Sequence, residues 1–256
     1  MKITAVTTFH NEAEFLPGWY NAVKGYSDEI IMAAHSPTDG SLEWATSLQK
    51  TSNIPITILE FPEDTIYRHG FSYMKNKCLE EATGDWIVSL DADEEMEITK
   101  ETLEPLTKNN VCISTITMHV ADRQPHWSLD NRDVIKKEAN WIRQRHFRIF
   151  RNVPDLKWHG LIHEELKLNS NIHIASIARS SIFKMWHFGC MGNKDKRWFK
   201  DGLYAELLCR IVENPELRHG TNPWWYNTYY NDNKELLQQQ RKAYLEAVEG
   251  KYGKIN

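Results

Sequence analysis

The sequence predicts an α/β fold with a mostly parallel central sheet flanked by helices and a helical C-terminal tail. Over the first hundred residues, short β-branched runs alternate with segments of helical spacing. Beyond Lys194, apolar side chains recur at helical spacing without intervening strands. With 41% hydrophobic and 26% charged residues among 256, the composition is globular, which excludes a disordered or coiled-coil chain.

The first half contains four predicted strands, each followed by a predicted helix or by a polar turn. The strands cover Lys2 to Phe9, Asp28 to Ala34, Pro55 to Phe61 and Asp85 to Leu90. The helices are predicted from Asn11-Glu12 to about Gly25, after the turn at Asp39-Gly40-Ser41, and over residues 69–83. Strands and helices in this alternation predict a parallel sheet.

The second half has a different texture, because no helices clearly separate its strands. Strands are predicted at Val111 to Val120, Arg145 to Arg151 and Ile172 to Trp186, with an irregular stretch from Ala121 to Asn140. The tail is predicted to be helical from Lys194 to Asn214, from Trp224 to Tyr230 and from Lys234 to Val248.

Charge and composition limit the partners and the compartment. The 31 basic and 35 acidic residues give a net charge of −4, which argues against nucleic acid as a partner and confines any polyanion contact to a local patch. The four cysteines form no CxxC pair, and the start of the chain is too soon acidic for a signal peptide. Since no run of about 18 apolar residues occurs, we expect a cytoplasmic protein without a transmembrane segment, which leaves peripheral membrane contact open.

Polar clusters follow three of the predicted strands, over Thr8 to Glu12, His35 to Asp39 and Asp91 to Glu95. Because ligands of open parallel sheets bind beyond the carboxyl ends of the strands, we expect these clusters to lie together. Asp91 and Asp93 emerge after a buried strand, and paired carboxylates suit Mg²⁺ or Mn²⁺ shared with substrate phosphates. The alternative is a solvated acidic turn that opens the next helix.

Other polar residues of the first half have both a binding and a structural interpretation. Asp39 is suited to accept hydrogen bonds from a base or ribose, or to cap the following helix. Asn11 and Glu12 have the same two interpretations. Lys75 lies on the helix before the acidic strand, where a cation would neutralise a diphosphate, although such lysines more often form a solvated helix face.

The second half contributes a basic run and a candidate base. Four arginines between residues 143 and 151 either line a phosphate groove or protect a sheet edge. Glu164 and Glu165 follow two histidines in a spacing that matches no zinc-protease motif, and a carboxylate there is a candidate general base. His187 ends a strand-like run and is either a metal ligand or a core histidine.

Several of these segments occur together in an order and spacing that carry a resemblance. They are Thr8-Phe9-His10-Asn11-Glu12, Asp28-Glu29-Ile30-Ile31, Thr38-Asp39-Gly40, Gly84-Asp85-Trp86-Ile87 and Asp91-Ala92-Asp93-Glu94. This half resembles family-two glycosyltransferases with the A-type fold. The later segments are similar to the subgroup of bacterial lipopolysaccharide-core glucosyltransferases and S-linked glycopeptide transferases, through Arg148-Ile149-Phe150-Arg151-Asn152, Gly160 to Glu164 and His187-Phe188-Gly189. The resemblance covers residues 1 to about 215.

The resemblance implies a nucleoside-diphosphate sugar as the donor, bound under the strand ends. It implies Mg²⁺ or Mn²⁺ on the donor diphosphate, held by Asp91 and Asp93, with His187 as a further ligand. The residues implied at the nucleotide are Thr8, Asn11 or Glu12, and Asp39. The diphosphate is expected to face Lys75 and Asp91.

The family inverts the anomeric carbon in a single displacement, so the resemblance also implies a base that faces the acceptor. Glu164 is expected in this role, and Glu165 is the alternative. Residues 1–190 would form the catalytic domain, with 1–110 as the donor-nucleotide half and 111–190 as the acceptor half. Residues 191–256 would form a helical C-terminal extension.

The expected function is metal-dependent, inverting transfer of one sugar, with a UDP-sugar as the favoured donor. The acceptor would be a glycan, such as a surface glycan or lipopolysaccharide core, a lipid-linked acceptor or a peptide. The alternatives are a nucleotidyltransferase, a non-catalytic protein that binds nucleotide sugars or glycans, and a glycosyltransferase that acts on protein or on modified DNA bases.

Overall fold

The computed structural model describes residues 1–108, 110–120, 124–168, 177–191, 197–217 and 223–252. Two compact units are formed, and both are discontinuous in sequence. The first comprises residues 1–61, 78–154 and 170–192, and the second comprises residues 62–77, 155–169 and 193–256. The segments predicted from the sequence end at residues 110 and 190, and neither position coincides with a boundary between the two units. This division of the chain stays a prediction.

Ten strands occur in the described residues, most of them in the first unit. They are β1 (Ile3–Phe9), β2 (Glu29–His35), β3 (Ile56–Phe61), β4 (Trp86–Ser89), β5 (Glu94–Met96), β6 (Cys112–Val120), β7 (Trp141–Arg151), β8 (Leu156–His159), β9 (Glu165–Leu168) and β10 (Ile177–His187). Eight form one sheet in the order β3-β2-β1-β4-β7-β6-β10-β5, and β8 and β9 form an antiparallel pair in the second unit.

The large sheet is mostly parallel, as the sequence predicts. Strands β3, β2, β1 and β4 run parallel to one another, and so do β6 and β10. Strand β7 is antiparallel to both of its neighbours, and β5 is antiparallel to β10. Both faces of β1 and β2 are buried, mostly by apolar side chains with Thr4, Thr7 and His35 as the polar exceptions, which is the pattern of a strand covered on both sides.

Nine helices occur in the described residues. They are α1 (Leu16–Val23), α2 (Ser41–Thr51), α3 (Thr65–His69), α4 (Phe71–Glu81), α5 (Lys100–Thr107), α6 (Arg132–Glu138), α7 (Arg197–Glu213), α8 (Pro223–Asp232) and α9 (Lys234–Tyr252). Helix α1 buries Leu16, Trp19 and Val23 in the core of the sheet, as their spacing predicts. No helix in the described part of the chain is long and apolar enough to cross a membrane.

The helix predicted over residues 69–83 is observed as α4, and Gly70 separates it from the preceding helix α3. Gly70 has φ of +75°, a conformation that side chains with a Cβ rarely adopt. A Cβ at Gly70 would also lie 2.4 Å from Cα of Leu161, and the Phe71 N–H donates to the Leu161 carbonyl at 2.9 Å. The break depends on a contact with residues about ninety positions away, so local periodicity does not reveal it.

The stretch predicted to be irregular, Ala121 to Asn140, contains helix α6; residues 121–123 lie outside the described part. Trp127 and Ile135 from this stretch pack in a second apolar cluster with Trp186 and Phe188. Trp127 is only 6% exposed and its indole N–H donates to Glu138, so its ring packs inside the protein instead of facing solvent. The strand predicted at Ile172 to Trp186 is described from residue 177 onward.

Only four residues, Leu90 to Asp93, join β4 to β5, although β7, β6 and β10 lie between these two strands in the sheet. Five backbone steps reach at most about 18 Å. Four strand spacings in a flat sheet amount to about 19 Å. This half of the sheet therefore curls, and the connection that carries Asp91 and Asp93 passes over three strands.

The second unit joins the β8–β9 pair to helices α3, α7, α8, α9 and the start of α4. Glu206 on α7 is buried and accepts from Arg210 and from Arg241, each at 2.6 Å. Because the charge of Glu206 is matched by two guanidinium groups, its burial between α7 and α9 is tolerated.

Candidate active site

The polar clusters that follow β1, β2 and β4 lie at one edge of the sheet, as the sequence predicts. Strand β1 pairs with β2 on one side and with β4 on the other, and all three strands are parallel. Thr8, half-buried, pairs in register with Ala33 just before the strands end. The carboxyl ends of the three strands therefore present neighbouring loops, the arrangement in which open α/β sheets bind ligands.

The loops after β1 and β2 are joined by hydrogen bonds. The Thr38 N–H donates to Asn11 Oδ1 at 2.7 Å, and His10 Nδ1 lies 2.5 Å from the carbonyl oxygen of His35. Because Asn11 is engaged with the neighbouring loop, it does not open helix α1, which begins at Leu16. The prediction that Asn11-Glu12 starts this helix is wrong for this reason.

Asp39 fastens the start of α2 to the loop after β1. Its Oδ1 accepts the Ser41 N–H at 3.1 Å and its Oδ2 accepts the Ala13 N–H at 3.1 Å, while the Glu12 N–H donates to Ser41 Oγ at 2.9 Å. The N-cap residue of α2 is Gly40, so Asp39 does not cap this helix as predicted but precedes the cap and accepts the N–H of the first helical residue. Its carboxylate holds the two loops in one arrangement, and a nucleotide role for Asp39 and Glu12 remains a prediction.

Asp91 is held by Glu94 and Arg148. Arg148 Nη2 donates to Asp91 Oδ2 at 2.9 Å and to Glu94 Oε1 at 2.5 Å, and the Asp91 N–H donates to Glu94 Oε2 at 2.9 Å. Glu94 is 1% exposed and Arg148 is 9% exposed. Burial raises the pKa of Glu94 to about 7, opposed by the charge of Arg148 and reinforced by that of Asp91.

Asp93 faces His187 at the end of the β4–β5 connection that lies next to β5. Asp93 Oδ2 lies 3.5 Å from His187 Nε2, and the Phe188 N–H donates to the carbonyl of Asp93 at 2.8 Å. Strand β5 sets this approach, because Glu94 pairs in register with His187. A Cβ at Gly189 would lie 2.7 Å from Asp93 Oδ2 and 2.8 Å from His187 Cε1, so a larger residue there would displace the carboxylate or the imidazole.

Two further histidines continue from His187 across the sheet. His119 Nδ1 lies 3.1 Å from His187 Nδ1, and the rings of His119 and His146 are 5.7 Å apart. Burial, followed by nearby positive charge, lowers the pKa of His119 and lowers that of His146 to about 4. Both imidazoles are therefore neutral near pH 7. The sequence gives no sign of this row, because the histidines come from three separate strands.

Asp93 and His187 fit a divalent cation as two neighbouring donors. In the part of the chain that the structure describes, no three His, Cys, Asp or Glu side chains converge as a metal site. A site with few protein ligands is compatible with Mg²⁺ or Mn²⁺, which take further oxygens from water and phosphates.

Lys75 and Glu164 belong to the second unit and pair with each other. Lys75 Nζ lies 2.5 Å from Glu164 Oε1 and 5.0 Å from the centre of the Trp158 ring. Asn76 Nδ2 donates to the Trp158 carbonyl and Asn76 Oδ1 accepts the Trp158 N–H, both at 2.8 Å, which fixes strand β8 beside helix α4. The ammonium predicted to meet a diphosphate therefore has a carboxylate partner within its own unit.

Glu165 opens strand β9 and pairs in register with His159. Burial raises the pKa of Tyr226, with the charges of Glu165 and Glu164 adding to the effect. Both acids therefore lie near Tyr226 in the second unit, and the choice between them as a base stays a prediction. The turn before them contains Gly160 at φ +112° and His163 at φ +50°.

Arg148 and Arg151 of β7 have separate partners, and the interpretation of the four arginines as a phosphate groove stays a prediction. Arg148 holds Asp91, whereas Arg151 donates to the carbonyls of Asn110 and Thr107 at 2.9 and 2.5 Å. The edge interpretation is wrong, because β7 lies inside the sheet between β4 and β6. Alternation along the strand sends successive side chains to opposite faces.

The family model for Glycosyl transferase family 2 matches residues 4–163. The SPbeta prophage-derived glycosyltransferase SunS of Bacillus subtilis is 24% identical over 268 residues, which cover 99% of this chain and 54% of SunS. A TPR repeat-containing protein of Synechococcus elongatus is 27% identical over 158 residues, covering 60% of this chain and 32% of that protein. The chain spans about half the length of SunS and a third of the second relative.

Solved structures with a similar course of the chain include two transferases. TarS of S. aureus in complex with UDP gives a TM-score of 0.47 at 12% identity, covering 81% of this chain and 65% of that chain. The mannosyltransferase PcManGT of Pyrobaculum calidifontis in complex with GDP-Man and Mn²⁺ gives 0.49 at 14% identity, covering 99% and 76%. With both scores below 0.5, neither likeness carries weight for the function.

Proposed function

Because the chain belongs to glycosyl transferase family 2, we propose that it transfers one sugar from a nucleoside diphosphate to an acceptor with inversion at the anomeric carbon. The carrying observation is the placement of Asp91 and Asp93 directly after the central strand β4, beside the joined loops after β1 and β2. Carboxylates at the ends of parallel strands are placed to meet a bound phosphate ligand through a metal ion.

We propose that the nucleotide occupies the loops after β1 and β2, contacting Thr8, Asn11 or Glu12, and Asp39. The hydrogen bonds between these loops support this role, because a site that is already rigid loses little conformational entropy when the ligand binds. A UDP-sugar is the favoured donor. The acceptor is proposed to be a glycan, a lipid-linked acceptor or a peptide.

Asp93 and His187 are the proposed metal ligands, with Asp91 on the diphosphate side. Mg²⁺ or Mn²⁺, when bound, would neutralise the charge that grows on the departing diphosphate. The chain's own contribution is to keep the Asp93 carboxylate and the His187 imidazole together, with the Phe188 N–H fixing the backbone of Asp93.

Glu164 is the proposed general base, and Glu165 is the alternative. A base for this reaction accepts the proton of the acceptor group as that group attacks the anomeric carbon. The ion pair with Lys75 supports Glu164, because it holds this carboxylate in a fixed position in the second unit. Lys75 contacts Glu164 directly, and this contact favours pairing with the proposed base as the role of Lys75 over binding of the diphosphate.

The test is thermal stabilisation of the protein by UDP, GDP and their sugars, with Mn²⁺ or with chelator, followed by an assay for release of the nucleoside diphosphate. A ligand that binds the folded state raises the unfolding temperature by mass action. We expect a metal-dependent shift with one nucleotide and its release from the matching sugar. Stabilisation without release would indicate a binding protein, and no shift with any nucleotide would contradict the proposed donor site.

A further inference from the structure

Arg148 is a buried cation that donates a hydrogen bond to the carboxylate of Asp91. We infer that Arg148, together with Glu94, positions Asp91 for the donor, an inference that rests on the donor site proposed above. One guanidinium nitrogen, Nη2, bonds to both Asp91 and Glu94, and the other Glu94 oxygen accepts the Asp91 N–H. The main chain and the side chain of Asp91 are thus held by the same two residues.

The sheet fixes where Arg148 lies. Its neighbour Ile149 pairs in register with Val88 of β4, so the backbone of Arg148 is set beside the end of β4 where Asp91 follows. One nitrogen of the guanidinium, Nη2, has two N–H groups and donates to both carboxylates. Lysine keeps the charge but has a shorter and more flexible side chain, so we expect it to restore these contacts only in part.

Burial gives this arrangement its strength. Glu94 and Arg148 are almost fully shielded from solvent, and water therefore competes little for their hydrogen bonds. Without Arg148, Asp91 and Glu94 would lose the cation to which an oxygen of each is hydrogen-bonded. Asp91 would then leave the orientation that its hydrogen bond to Arg148 imposes.

The hydrogen bond from Arg148 to Asp91 Oδ2 has a consequence for the donor site. Oδ2 of Asp91 is committed to the guanidinium, so this carboxylate is oriented by a fixed cation of the protein. The Asp91 side chain is therefore ordered before the donor binds. Donor binding does not have to offset a loss of conformational entropy by this side chain. Arg148 is thus a positioning residue, which acts through Asp91.

The experiment compares Arg148→Met and Arg148→Lys with the wild type in binding of UDP or GDP together with Mn²⁺, measured by calorimetric titration. We expect Arg148→Met to weaken binding at least about tenfold and Arg148→Lys to recover part of the loss. Arg68→Met is the matched control, since Arg68 is an exposed arginine that pairs with Asp64, four residues earlier in the chain. It should bind as the wild type does.

A double-mutant cycle with Asp91→Asn separates positioning from a general structural effect. If Arg148 acts through Asp91, then Arg148→Met adds little loss of binding to Asp91→Asn. Losses that simply multiply would overturn the inference, because Arg148 would then act independently of Asp91. Thermal unfolding of every variant shows whether each one folds.

If Arg148→Met does not fold, the charge-balanced variant Arg148→Met with Glu94→Gln replaces it, because it removes the unpaired carboxylate as well. Wild-type binding by either folded variant would overturn the inference while leaving the proposed function intact. Absence of binding by the wild type itself would contradict the proposed donor site and, with it, the role given to Arg148.

Discussion

Lys75 and Glu164 form a buried ion pair, with Lys75 Nζ 2.5 Å from Glu164 Oε1 and side chains only 7% and 13% exposed. The two residues come from helix α4 and from the turn before strand β9, so the pair also ties these elements together. A buried pair of this kind contributes little net stability, but the loss of one partner leaves an uncompensated charge. Its retention in the second unit is consistent with a role for the carboxylate beyond packing.

Glu164→Gln is expected to lower kcat at least about a hundredfold, the usual contribution of a general base, while binding of donor nucleotide persists. The amide keeps an oxygen that accepts from Lys75, so the fold should survive. Turnover and nucleotide titration measure the two effects separately. Glu165→Gln is the control. If Glu165→Gln loses turnover but still binds the nucleotide, while Glu164→Gln turns over normally, the base is Glu165.

Lys75→Met is expected to lower the free energy of unfolding by about 3–5 kcal/mol, because it leaves the Glu164 carboxylate buried without its cation. It also removes the contact of the ammonium with the Trp158 ring. Denaturant unfolding measures the loss. Lys24→Met, on an exposed helix end, is the control, and equal stability of the two variants would show that the buried pair is dispensable.

Asp93→Asn is expected to lower kcat by at least about a hundredfold, equivalent to several kcal/mol of lost transition-state stabilisation. The fold should persist, because side-chain volume is unchanged. Turnover at increasing Mn²⁺ concentration and the thermal unfolding temperature check both statements. A folded variant with wild-type turnover at low Mn²⁺ would rule out Asp93 as a metal ligand.

Gly189→Ala is expected to lower kcat/KM by about a hundredfold, since displacing reacting groups by an ångström has effects of that size. The new Cβ would push Asp93 Oδ2 and the His187 ring aside, whereas the unfolding temperature should change little because the carboxylate end is free to shift. Gly25→Ala is the matched control, because a Cβ there meets nothing within 4 Å. Equal activity of both variants would contradict the close packing at Gly189.

The protein is expected to lose stability in acid through Asp28 and Glu29. Burial alone would raise the pKa of Glu29, but hydrogen bonds from Thr4 and Thr83 outweigh it and lower the pKa below its ordinary value of 4.5. The pKa of Asp28 is lowered in the same way, with burial opposed by a hydrogen bond from Lys100. Groups with a lowered folded-state pKa stabilise the fold above their unfolded pKa and lose that contribution as pH falls.

Glu29→Gln is therefore expected to be less stable than the wild type at pH 7, by about 1–2 kcal/mol for lost charge-assisted hydrogen bonds. This difference should shrink as pH falls through the folded-state pKa, where the wild-type carboxylate also becomes neutral. Urea unfolding at pH 7, 5 and 3 measures it. A difference that stays constant with pH would show that the charge of Glu29 does not contribute.

The strands of the first half are readable from the sequence because each is a short β-branched run between polar turns. Strand β5 is not readable, since Glu94 to Met96 is acidic and short and forms only through pairing with β10. Asp91, Asp93 and His187 are identifiable from motif and placement. The contact of Arg148 with Asp91 is not, because it requires the antiparallel register between β7 and β4.

Lys75 is a second case in which the sequence does not reveal a contact between residues distant in the chain. Its position on a helix before the acidic strand indicates a cation near the donor, but its partner, Glu164, is fixed by a turn almost ninety residues later. Sequence spacing therefore locates chemically capable residues, whereas pairing across the fold decides which of them already have a partner.

The pairing of Glu94 with His187 joins residues more than ninety positions apart in the chain. During synthesis, the two aspartates after β4 emerge long before the strand that brings His187 beside them. Contacts of such separation form late, because the long loop must first be closed. A nascent chain that stops before residue 187 would therefore carry the acidic motif and the loops after β1 and β2 without the imidazole proposed as a metal ligand.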